Sequence, residues 1–121
     1  MSRKNGHVWT HKGGPMCVGR DDGRYAEYRE EQKKTGVSPD ETWNLDVTIA
    51  EFVLPRLKLF KEKTIGVPCC FGTMEEWHAE LDRMIRAFEL MCDDKAFGSE
   101  SQNEIDAGLD SFRKYFQALW W

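Results

Sequence analysis

Residues 73–91 read TMEEWHAELDRMIRAFELM, and this stretch decides the fold class. Thr73, followed three residues later by Glu76, is a capping box. The hydroxyl accepts an orphan amide proton of the first turn, and the carboxylate reaches back to the amide of the cap. Trp77, Leu81, Met84, Ile85, Phe88 and Met91 then follow at helical spacing, so one face of the helix is apolar along its length.

The same grammar recurs on either side. Downstream, Ser101-Gln102-Asn103-Glu104 predicts another helix start, with Ile105, Leu109, Phe112, Phe116 and Leu119 on its buried side up to Trp120-Trp121. Upstream, Ser38-Pro39-Asp40-Glu41 supplies a cap, a proline at the first helical position and an acid at the third. Leu45, Ile49, Phe52, Val53, Leu57 and Phe60 continue that pattern. Pro55 lies inside it, lacking an amide donor and crowding the preceding turn, which predicts a kink or two consecutive helices over 39–54 and 55–63. Residues 24–34 predict a short helix with Tyr25 and Tyr28 on one side and Gly36 as its stop.

Residues 1–23 hold Gly6, Gly13, Gly14, Pro15, Gly19 and Gly23 without any period, and read as a loop or extended arm. No alternating strand is evident, although residues 7–10 or 16–20 could pair locally. The expected fold is mainly all-α. It is a compact bundle of three long amphipathic helices plus one short helix, with a Gly-rich basic arm over 1–23 and one helical domain over 24–121. Its core should set Trp77, Leu81, Ile85 and Phe88 against Ile49, Phe52, Phe112 and Phe116.

Composition narrows the function classes. The chain has 121 residues, of which 40% are hydrophobic and 31% charged, which suits one globular domain rather than a disordered chain. No apolar run approaches the ~18 residues of a membrane span, and Met-Ser-Arg-Lys-Asn-Gly lacks a signal-peptide core, so neither spanning nor secretion is expected. Four cysteines are too few for a disulfide scaffold and read as reduced, in an intracellular protein. The net charge of −4 is unevenly spread. Residues 1–37 carry eight Lys/Arg against five Asp/Glu, whereas residues 67–121 carry five against eleven. An acidic body argues against phosphate binding by the helices, because neutralising phosphates needs clustered Lys and Arg.

Three blocks carry a family resemblance: Glu41-Thr42-Trp43-Asn44-Leu45-Asp46 running into Thr48-Ile49-Ala50-Glu51-Phe52-Val53-Leu54-Pro55-Arg56-Leu57-Lys58; Glu75-Glu76-Trp77 with Leu81-Asp82-Arg83-Met84-Ile85-Arg86-Ala87-Phe88-Glu89; and Gly108-Leu109, Phe112, Lys114-Tyr115-Phe116 and Leu119-Trp120. Together they resemble a family of small tailed-phage and prophage proteins over residues 40–121. The resemblance implies a phage or prophage accessory gene, acting in the cytoplasm of an infected or lysogenic bacterium, and brings no catalytic residues with it.

His7, His11 and Cys17 in the arm, with Cys69 and Cys70 in a Pro-bounded loop, could supply one structural zinc if the arm folds back. The alternative is that Cys69, Cys70 and Cys92 are small buried hydrophobes and the histidines are solvated. Catalysis has less support. Cys69 or Cys70 with His78 would make a nucleophile pair, and Asp46, Glu76 and Glu80 an acid and base, only if the fold converged them. Gly13-Gly14-Pro15 lacks the Lys-Ser/Thr and helix start of a phosphate loop.

Glu75, Glu76, Glu80, Asp82, Glu89, Asp93 and Asp94 on or beside one helix suit a basic partner, although an acidic helix face is more often simply solvated. Two adjacent rings at a helix end cannot both point inward, so one is exposed, packed under the arm or used to grip a partner, the last being the role expected of Trp121. The expected function is therefore a non-enzymatic inhibitor of a basic host protein or nucleoprotein. The analogy to small phage accessory genes suggests an anti-CRISPR-like protein that stops a Cas effector engaging DNA. The alternative is a zinc-stabilised nucleic-acid-binding or regulatory module whose arm residues Arg3, Lys4, Lys12, Arg20 and Arg24, with Trp9, grip phosphate and stack a base.

Overall fold

A computed structural model describes residues 18–121. Every regular element among them is helical: α1 (Tyr25–Thr35), a 3-10 turn (Pro39–Thr42), α2 (Leu45–Lys63), α3 (Met74–Cys92), α4 (Ser99–Lys114) and a closing 3-10 turn (Phe116–Ala118). The all-α class with three long helices and one short one is as the periodicity predicts. Residues 18–20 form no strand, and the expected local pairing over 7–10 lies outside the described residues. The chain gathers into two compact units, Met1–Phe52 and Val53–Trp121.

In the first unit α1 ends where Gly36 adopts φ 85°, a left-handed conformation that glycine takes without Cβ strain, and its amide bonds the Gln32 carbonyl. The Ser38 capping box forms, but it opens the 3-10 turn rather than a helix. The helix proper starts at Leu45, six residues beyond the expected Pro39, after the Thr48 hydroxyl has donated to the Glu41 carbonyl at 2.8 Å. The α-helix is then unbroken through Pro55, so the expected division into two helices at 54/55 does not occur. What Pro55 removes is one amide donor.

Ala50 and Leu57 are the buried hydrophobic residues of α2, so the later part of the expected stripe is kept and its first part is not. Leu45, Ile49 and Phe52 are exposed, Ile49 by 48%. The expected packing of Ile49 and Phe52 in the core is thus corrected. Periodicity shows that apolar residues share a helix face but not what that face meets.

The second unit is built on the α3–α4 pair. Trp77, Leu81, Met84, Ile85, Ala87, Phe88 and Leu90 are buried along α3. Facing them, Gly108 of α4 lies so close that a Cβ there would sit 2.3 Å from the Ala87 Cβ and 2.5 Å from the Arg83 carbonyl oxygen. Phe88 meets Phe112 edge-on with centroids 5.0 Å apart, and Phe71, Trp77 and Tyr115 form a second aromatic cluster with centroids 5.1–6.0 Å apart. Helix α4 starts at Ser99, two residues before the expected Ser101, because Gly98 at φ 104° makes the turn into it. It stops at Lys114, so Phe116 falls in the 3-10 turn and is 58% exposed instead of finishing the core.

Candidate interaction surface

The acidic residues on and beside α3 are spread around the helix, and most of them already have partners. Glu76 is consumed by the capping box: its Oε1 accepts the Gly72 and Thr73 amides at 2.6 and 3.3 Å. Glu80 pairs with Arg83 at 2.9 Å and accepts the Ser111 hydroxyl of α4. Asp82 meets Lys61 at 2.6 Å, and Glu89 meets Lys58 at 3.3 Å. Asp93 ends α3 and accepts the Lys95 amide at 2.9 Å. Glu75 and Asp94 are exposed and show no such partner. These carboxylates are therefore mostly paired with nearby donors rather than forming an unopposed acidic stripe. Lys58 and Lys61, one helical turn apart on α2, were the missing element, and their i, i+3 spacing was the signal for it.

An apolar cleft of about 130 Å³ is lined by Gly66, Val67, Pro68, Ala118, Trp120 and Trp121. Gly66 lies against the Trp121 backbone, at a distance where a Cβ would make an ordinary van der Waals contact of 3.5 Å. The two rings are 73% and 62% exposed. The expectation placed one ring in the core, whereas both lie out, because α4 ends before reaching them. Exposed large aromatics grouped around a cleft are a recurrent mark of contact surfaces.

Of the expected metal ligands, His7, His11 and Cys17 lie outside the described residues. Cys69 and Cys70 are exposed and free, which corrects their reading as buried hydrophobes, and Cys92 is half-buried. Among the described residues no group of three or more His, Cys, Asp or Glu side chains converges as a metal site. His78 is partly buried, with Nε2 enclosed and without a hydrogen-bond partner.

A further polar cluster, in the first unit, had no counterpart in the sequence reading. Asp40 is fully buried, and its carboxylate accepts the Val18 amide at 2.8 Å, the Ser38 hydroxyl, and Arg29 Nη2 at 2.9 Å. Burial pushes the Asp40 carboxyl up, but the Ser38 hydroxyl, the Val18 amide and the Arg29 charge outweigh it and hold the group below its ordinary 3.8. Gln32 donates to Glu41 at 2.7 Å beside it. The cluster is a clasp that fixes residue 18 to the 3-10 turn, and its signal was the run Ser38-x-Asp40-Glu41 doing more than capping.

The chain matches no family model, no curated protein and no solved structure. No helix among the described residues is long and apolar enough to cross a membrane.

Proposed function

We propose that this chain is a non-enzymatic binding protein of phage or prophage origin that obstructs a host target, with the Trp120–Trp121 cleft as its anchor. The observation that carries this reading is the exposed tryptophan pair around an apolar cleft. Tryptophan brings large apolar area at small entropic cost, and contact energy concentrates on such anchors. Asp82 and Glu89 of α3 sit in exposed pairs that a basic partner can exchange at little loss, since such pairs contribute little on their own. In its most specific form the partner is a basic nucleoprotein, a Cas effector, whose productive binding of DNA is prevented.

The test is an inhibition assay on the purified effector binding its target DNA. Addition of the chain should weaken that binding. Trp120→Ala/Trp121→Ala should abolish the effect while keeping the helical melting transition, and Asp82→Asn/Glu89→Gln should weaken it chiefly at low salt. Full inhibition by the tryptophan variant would overturn the reading.

A second reading, a zinc-stabilised nucleic-acid or regulatory module, is favoured by one observation: Cys69 and Cys70 stand in solvent, where an incoming ligand set could reach them. Elemental analysis finding about one zinc per chain, with a gel shift that fades steeply as salt rises, would favour it over inhibition.

A further inference from the structure

The loop between α2 and α3 carries two adjacent thiols that neither the core nor the cleft uses. Cys69 and Cys70 are both exposed and free. They occupy the two central positions of a tight turn closed by the Phe71 amide on the Pro68 carbonyl at 2.9 Å. The turn is held at both flanks: Pro68 lines the tryptophan cleft, and the Phe71 ring packs on Trp77 and Tyr115 at 5.3 and 5.1 Å. Two thiols are thus presented side by side at the corner of an anchored turn. Two ligands fall short of the three or four that zinc requires, but suffice for thiol–disulfide exchange.

We infer that Cys69 and Cys70 form a vicinal dithiol that reacts with a small-molecule disulfide of the glutathione class and closes to a ring disulfide. One thiolate attacks a sulfur of glutathione disulfide, forming a mixed disulfide and expelling one glutathione thiolate, which takes up a proton. The neighbouring thiolate then attacks the protein sulfur of that mixed disulfide. It forms the Cys69–Cys70 bond and releases a second glutathione. Two protein thiols are oxidised and one glutathione disulfide is reduced to two glutathiones. The second step is intramolecular between adjacent residues and so does not wait on a second encounter. Adjacent Cα atoms lie ~3.8 Å apart, whereas ordinary disulfides span at least ~4.4 Å. The ring is therefore strained and readily reduced, a property of labile rather than structural disulfides. Because Pro68 belongs to both turn and cleft, ring closure also shifts one wall of the cleft; this consequence rests on the cleft being the docking site only for its meaning, not for its measurement.

The experiment incubates the full chain with glutathione disulfide and reads intact and peptide masses, in the wild type and in Cys17→Ser/Cys92→Ser. The expected product has lost two hydrogen masses, mapped to the peptide holding residues 69 and 70, and is restored by excess reduced glutathione. Cys69→Ser and Cys70→Ser should each stop at one bound glutathione. A stable adduct on the intact pair, a disulfide-linked dimer, or no reaction would overturn the inference. Acrylamide quenching of tryptophan fluorescence should differ between the ring and dithiol forms; identical quenching would overturn the link to the cleft.

Discussion

Asp40 and Asp22 are both carboxylates bonded to an arginine and a backbone amide, and their surroundings give them different weight. Asp22 accepts Arg24 Nε and Nη2 at 2.9 and 2.8 Å, and the guanidinium holds its carboxyl at about 2. The pair is solvent-exposed, so Asp22→Asn should leave the melting temperature essentially unchanged in a thermal scan. Asp40 is fully buried, and its arginine partner is nearly so. Asp40→Asn leaves the Arg29 guanidinium enclosed without its counter-charge and should cost about 3–5 kcal/mol in urea unfolding. The same group sets a pH dependence. Its folded pKa lies below the ordinary 3.8, so its stabilisation is complete above that value and is lost as pH falls through the lower folded one. Acid titration of the wild type followed by circular dichroism should show this loss, and Asp40→Asn should lack it.

At the scale of elements, two positions have local and tertiary preferences that conflict. Alanine at Gly108 would favour the helix by about 1 kcal/mol on intrinsic propensity. Its Cβ, however, would collide with the Ala87 side chain and the Arg83 carbonyl, and neither can move without parting α3 from α4. Gly108→Ala should therefore destabilise by about 1–3 kcal/mol, as overpacking does; a rise in the unfolding midpoint would contradict the close α3–α4 approach. Pro55 is the opposite case, an interior residue whose helix is kept despite it. Pro55→Ala restores an amide donor to α2 and should raise stability, by up to about 3 kcal/mol. Phe88, buried and edge-on to Phe112, carries the ordinary core penalty: Phe88→Ala should cost about 3–5 kcal/mol in chemical denaturation.

For the molecule as a whole, the excess of acid over base in residues 67–121 does not become a bare negative surface. Lys58, Lys61, Arg83 and Arg86 each take one carboxylate, on Glu89, Asp82, Glu80 and Glu104. These pairs are mostly exposed and weak, so the melting temperature should stay nearly flat as salt is raised to physiological strength. The association with a basic partner that we propose should, by contrast, slow with salt, because long-range steering is screened.

The sequence by itself determined that the chain is helical and set three local features, the Thr73–Glu76 box, the Gly36 stop and the Trp77–Phe88 stripe, which all appear as read. These features act within one or two turns, between residues close in the chain, so the order of residues contains them. Only the tertiary structure decided which part of the α2 stripe is buried, that Cys69 and Cys70 stand in solvent, that Lys58 and Lys61 reach the acids of α3, and that Asp40 closes on Arg29 and the Val18 amide. Each of these depends on groups brought together from distant positions or on the absence of a covering neighbour. The candidate surface follows the same division. The Trp120-Trp121 pair was legible as unusual, but its cleft with Gly66, Val67 and Pro68 depends on α4 ending at Lys114, which leaves both rings outside the core.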